Sequence, residues 1–169
     1  MEAIAVAAGV TKPTIYARYA SKEDLHRAVI EADGKRLVDH LLRASMGVER
    51  ASFDEAIRAS VRAYFAFFKA SPDTFGLLFS AARGGEAGHV ADEVTEQVNG
   101  LVSSVALVLA DRHRVALPAA EARLIAALML GAAKGAVGLA LRDREVTLEQ
   151  AEALTAQVLT RGLRTTPPD

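Results

Sequence analysis

Apolar residues recur along this chain at spacings of three and four, the period of a helix that buries one face. No segment alternates apolar and polar residues convincingly, as a half-buried strand would. Phe53, Ile57, Val61, Tyr64, Phe65 and Phe68 follow helical spacing, and Phe75, Leu78 and Phe79 continue it on the next segment. Towards the end, Leu148, Ala151, Leu154, Val158 and Leu159 make a single apolar stripe.

The interruptions read as helix ends. Gly9 closes a short alanine-rich helix beginning at Glu2, and Thr11 opens a second one with Pro13 in its first turn, where a missing N–H does no harm. Ser21-Lys22-Glu23-Asp24 places an N-cap before two acids and starts a long helix to about Ala44. Ser52-Phe53-Asp54-Glu55 is a capping box, and Ser71-Pro72-Asp73 puts proline at a first helical position. Gly84-Gly85 precedes a run from about Glu86 to Arg112. Pro118 starts a helix to about Arg142, and Thr147-Leu148-Glu149-Gln150 caps the last, which ends in Thr165-Thr166-Pro167-Pro168-Asp169. The fold class is therefore all-α, with about eight helices.

Composition agrees with that reading. Alanine and leucine dominate, aromatics are only 5% and Trp is absent, a mixture that suits helices better than sheets. With no Cys there is no disulfide framework and no thiolate metal site. The start MEAIAVAAGVTK lacks a basic segment followed by an unbroken apolar one, so no secretory signal is expected and the cytoplasm is the default location. Leu124 to Leu141 approaches the length of a membrane span, but Lys134 lies mid-run. One charge near a bilayer centre costs on the order of 3 kcal/mol, so a buried helix, with no membrane partner, is the reading.

The net charge of −1 leaves no bulk attraction to nucleic acid. Residues 1–22, however, carry Lys12, Arg18 and Lys22 against Glu2 alone, a local net of +2. In the same stretch Ala5, Gly9, Val10 and Ile15 have the spacing of a helix-turn-helix. That motif needs a small residue where the helices touch, a residue tolerant of positive φ in the turn, and apolar residues that lock the second helix. A helical hairpin that merely packs would explain Ile4, Gly9 and Ile15 equally well. It would not explain why the second helix, Lys12 to Tyr19, carries Lys12, Thr14, Tyr16 and Arg18 beside Lys22.

The run from Ile4 to Leu25, IAVAAGVTKPTIYARYASKEDL, resembles the signature of TetR-type regulators, A-G-V-[ST]-x-x-[ST]-[IL]-Y-x-x-[FY] followed shortly by S-K-E-x-L. The resemblance implies a DNA-binding module over residues 1–24 and a helical ligand-binding and dimerisation domain over 25–169. By position it implies that Lys12, Pro13 and Thr14 face the major groove of a double-stranded operator. Arg18 would reach a base edge or phosphate, and Thr11, Tyr16 and Lys22 would bond phosphates. Tyr19 matches the aromatic position that packs the module on the long helix. One departure is that family members have a further helix before this motif, so either the true start lies upstream or this is a shortened form. Without it Ile4, Ala5, Ile15 and Leu25 lose cover, and the module is expected to be frayed or to bind weakly.

In the larger domain the Phe residues cluster between 53 and 79 beside Val94, Val98 and Leu101. That cluster reads as core, and also as the wall of an apolar cavity. The family resemblance implies an inducer there. The expected ligand is small and lipophilic or aromatic, with Phe65, Phe68, Phe79 and Met129 as wall residues and no cofactor. Leu128, Gly131, Gly135 and Gly138, with Leu154 and Val158 on the last helix, are expected to form the four-helix interface by which the family makes homodimers. Two recognition helices about one DNA turn apart would read a palindrome, and the ligand would shift the long helix and release a repressor from its operator.

Catalysis finds no support in a G-x-S-x-G, a phosphate loop or an H-x-x-x-H pair. Glu86 and His89 read as a surface pair rather than metal ligands, so no catalytic or metal-binding residue is assigned. The alternative is a helical dimeric ligand-binding protein that has lost DNA binding with the missing helix.

Overall fold

The computed structural model of the chain describes residues 1–79 and 86–163. The Gly84-Gly85 break, the tail from Thr165 to Asp169 and the side chain of Glu86 lie outside the described residues. The described regular structure is entirely helical: α1 (Glu2–Ala7), α2 (Lys12–Tyr16), α3 (Lys22–Ala44), α4 (Phe53–Ala70), α5 (Pro72–Phe79), α6 (Glu86–His113), α7 (Ala119–Ala140) and α8 (Leu148–Gly162). One 3-10 turn, Val48–Arg50, joins α3 to α4.

The caps act as their sequences imply. The Thr11, Ser21, Ser52 and Thr147 side chains each accept from the backbone N–H three residues on. At Ser52 and Thr147 the backbone N–H donates in return to the Glu55 carboxylate and to the Gln150 side-chain oxygen, which completes capping boxes. Gly9, at φ 65°, ends α1: its amide donates to the Val6 carbonyl and that of Val10 to Ala5, the paired bonds that close a helix through a left-handed residue.

α3 is the spine. It leaves the N-terminal pair α1–α2 and crosses α6, α4 and α5, while α6 packs on α7, and α8 packs on α4 and α7. At the α3–α6 crossing Gly34 is buried, and a Cβ there would overlap the Cγ2 methyl of Val94. The core is centred on α4, which buries Ile57, Val61, Tyr64, Phe65, Phe67 and Phe68. Phe68 meets Tyr64, Phe67 and Phe75 edge-on, with ring centroids 5.0, 5.1 and 5.2 Å away.

α7 is long and apolar enough to cross a membrane by length and composition. It packs instead as a core helix, burying Ala122, Ala126, Met129, Leu130, Ala133 and Val137 against its neighbours. Lys134 lies over the Phe79 ring, 4.4 Å from its centroid, so the one charge in the apolar run has an aromatic face as partner.

Candidate nucleic-acid interface and apolar cavity

The N-terminal module is built on few contacts. Ala5 and Ile15 are buried, so the inner faces of α1 and α2 meet despite the short helices. Ile4 and Val10 stay partly exposed and Val6 is 75% exposed, while Leu25 and Tyr19 are half-buried. Ala5 and Ile15 are only 3% and 7% exposed, so the loss of cover expected for these two does not arise.

Lys12, Pro13, Thr14, Tyr16, Arg18 and Lys22 are all exposed. Lys12 Nζ lies 3.9 Å from Glu2 Oε2, a loose surface pair. The Thr11 hydroxyl caps α2 and also shares a 2.7 Å bond with the Thr14 hydroxyl, so these two side chains hold each other in place. α2 ends at Tyr16, not at Tyr19. Ala17 is its C-cap, and Arg18 and Tyr19 follow in a turn whose amides both donate to the Ile15 carbonyl. Arg18 therefore extends from the turn rather than from the helix.

The module is tied to α3 by polar contacts. Asp24 accepts from the Ala20 amide and from Arg27, which also pairs with Glu31. These partners raise the Arg27 pKa above its already high ordinary value. Lys22 is the first residue of α3, where the positive end of the helix dipole adds to its charge.

Two adjoining apolar spaces lie against α4, α6 and α7, the first closed on one side by the end of α3 and the second by Leu163 after α8. The first, of about 50 Å³, is lined by Leu41, Ala44 and Ser45 at the end of α3, by Tyr64 on α4, by Val98 and Leu101 on α6, and by Met129 on α7. The second, of about 290 Å³, lies among Phe53, Ile57, Leu109, Leu117 and Ile125. The two share Ser60, Val102, Val105 and Met129 as lining.

Of the four wall residues expected from sequence, Met129 lines both spaces. Phe65 and Phe68 are fully buried in the aromatic core, and Phe79 packs under Lys134. Val94, grouped with the cavity on sequence, is taken up by the Gly34 crossing. Tyr64 and Leu41 were not singled out as wall residues. Helical spacing puts Tyr64 on the same face as Phe65 and Phe68 without telling which of them borders empty space.

Two histidines are engaged in the fold. His40 Nε2 lies 3.1 Å from the Ala63 carbonyl and His113 Nε2 3.2 Å from that of Ala51, so both bridge helices or their connections.

On the outside, α7 presents Leu124, Leu128, Gly131, Gly135 and Leu139, and α8 presents Leu154 and Val158, all exposed. Gly138 is a correction to the sequence reading. It turns inward, and a Cβ on it would sit 3.0 Å from the Phe75 ring, so its smallness serves the core and not the outer face.

Residues 1–29 match the profile of bacterial regulatory proteins of the tetR family, and residues 52–162 match that of the tetracyclin repressor-like C-terminal domain. The chain is 35% identical over 81 residues to the HTH-type transcriptional activator FasR of Mycolicibacterium smegmatis. That match spans 47% of this chain and 35% of the length of FasR. The fold is similar to that of the fatty acid degradation regulator FadR from Bacillus halodurans, with a TM-score of 0.78 at 21% identity over 96% of this chain and 88% of that one. It is also similar to a TetR-like transcriptional regulator from Rhodococcus sp. RHA1, with a TM-score of 0.74 at 22% identity over 98% and 84% of the two chains. With its helix-turn-helix and its C-terminal helical domain both matched, the chain belongs to the tetR family of bacterial regulatory proteins.

Proposed function

We propose that this chain is a ligand-responsive transcriptional regulator that binds a palindromic DNA operator as a cytoplasmic homodimer and is released from it by a small lipophilic ligand. One observation carries the reading. A single helix, α3, starts at the module that presents Lys12, Tyr16, Arg18 and Lys22, and its other end, at Leu41 and Ala44, forms part of an apolar cavity wall. From Lys22 to Leu41 it reaches about 30 Å at 1.5 Å per residue, so a shift of one end is carried to the other. A ligand acts through this helix only if it binds the two positions with different affinity.

The cavity supports an apolar effector, since most of its lining is aliphatic. The name of the Bacillus halodurans relative, a fatty acid degradation regulator, supports an aliphatic chain as one such ligand. The outer stripe of α7 and α8 supports a second copy of the chain as its cover, because Leu124, Leu128, Leu154 and Val158 are each more than half exposed.

Within the module, Lys12, Pro13 and Thr14 would meet base edges, and Tyr16, Arg18 and Lys22 the backbone phosphates. A gel shift against duplexes tiled across the DNA upstream of its own coding region tests this. A shifted band with a single duplex, lost on adding a lipophilic effector, is the expected result. Shifts on every duplex alike, or on none, would contradict it.

A second reading rests on the exposed Ile4, Val6 and Val10. A module with this much uncovered apolar surface docks loosely, which would leave a dimeric ligand-binding protein without DNA function. That reading predicts a dimer that takes up lipophilic probes and shifts no duplex.

A further inference from the structure

The cavity wall carries one polar side chain that the fold leaves unsatisfied. Tyr64 is 3% exposed, and its hydroxyl has no hydrogen-bond partner among the described residues. Its ring is fixed by the edge-on contact with Phe68, and the residue borders the smaller of the two apolar spaces. A buried hydroxyl without a partner opposes folding, and a phenylalanine would fill the same volume without that cost.

The surroundings restrict what could pair with it. Burial pushes the Tyr64 phenol well above its ordinary pKa, so at neutral pH it remains a proton donor. Ser45, on the same wall, already gives its hydroxyl hydrogen to the Leu42 carbonyl, 2.8 Å away. No Lys, Arg, His, Asp or Glu lines this space, so an ionised group there would be desolvated with nothing to offset it.

We propose that Tyr64 is the residue that anchors and selects the effector, its hydroxyl donating to an uncharged oxygen acceptor, of the ketone, ester or amide kind, within an otherwise apolar ligand. This rests on the reading of the cavity as the effector site. The aliphatic lining then supplies affinity without much discrimination, while Tyr64 sets where the acceptor lies along the ligand.

The test uses the full chain, wild type and Tyr64→Phe, with the fluorophore N-phenyl-naphthylamine as reporter of cavity occupancy. Butylbenzene and butyrophenone, which differ by one carbonyl, are titrated as competitors, and both proteins are melted without ligand. Tyr64→Phe is expected to weaken butyrophenone about tenfold and to leave butylbenzene and the fluorophore within about twofold. It should also melt at the same or a higher temperature, because an unsatisfied hydroxyl has gone.

Equal weakening of both competitors would mean that Tyr64 only shapes the wall, and no weakening of either would mean that the hydroxyl is served by water. Both results overturn the inference and leave the effector cavity standing. If wild type takes up neither the fluorophore nor either competitor, the cavity is not a ligand site, and that reading falls together with this one.

Discussion

Arg114 holds φ 56° at the end of α6, a left-handed conformation that glycine ordinarily supplies. Its amide donates to the Asp111 carbonyl and that of Val115 to Ala110, the same closing pair seen at Gly9. The side chain is exposed, so nothing buried repays the strain, which for a non-glycine residue amounts to roughly 1–2 kcal/mol. Arg114→Gly is expected to raise the unfolding free energy by up to about 1 kcal/mol, part of the relief being lost to the entropy of the unfolded glycine. Urea denaturation measures it, and a fall in stability would show that the arginine side chain contributes more than its backbone costs. The contrast marks what single residues disclose. Gly9 announces its turn because glycine is the usual occupant, whereas Arg114 leaves no trace in the sequence. Tyr64, Phe65 and Phe68 likewise look alike to a periodicity, although only Tyr64 borders the cavity.

Among elements, the caps carry the most readable information. Ser, Thr and Pro at the helix starts fix the boundaries to within a residue or two, because orphan backbone N–H groups need those side chains. The recognition helix is shorter than its pattern implies, since Ala17 and Arg18 continue a plausible helical pattern while the backbone turns after Tyr16. Crossings between helices were not legible at all. Gly34 reads as a lone glycine inside a long helix, and its partner Val94 lies sixty positions along the chain. Gly34→Ala would gain up to about 1 kcal/mol of helix propensity, but overpacking costs roughly 1–3 kcal/mol where the neighbour is a stiff β-branched side chain. A net loss of about 1 kcal/mol is expected by urea denaturation. Adding Val94→Ala should cost less in the Gly34→Ala background than in wild type, a coupling that a double-mutant cycle reads directly. Additive effects would mean that the α3–α6 crossing is loose enough to part.

For the whole molecule, the proposed assembly depends on the outer stripe of α7 and α8. The stripe was legible as small and apolar residues in helical register, apart from Gly138, whose inward turn only the packing against Phe75 discloses. Leu154→Glu together with Val158→Glu replaces two apolar residues that are each more than half exposed and lie outside the core, so the helices should stay folded. Light scattering is expected to give the mass of two chains for the wild type and one for the double variant. A monomeric wild type would remove the dimer from the account.

Whether the N-terminal module reads DNA is measured most directly by fluorescence anisotropy with a labelled duplex from the chain's own upstream region. Binding is expected to be saturable and to weaken at least about tenfold between roughly 50 and 200 mM salt, because phosphate contacts release counterions. Lys12→Ala should weaken it about tenfold further, since one lost bidentate contact is worth ~1–3 kcal/mol. Binding indifferent to salt and to Lys12, or no binding by a chain that circular dichroism shows to be folded and helical, would contradict DNA recognition by this module.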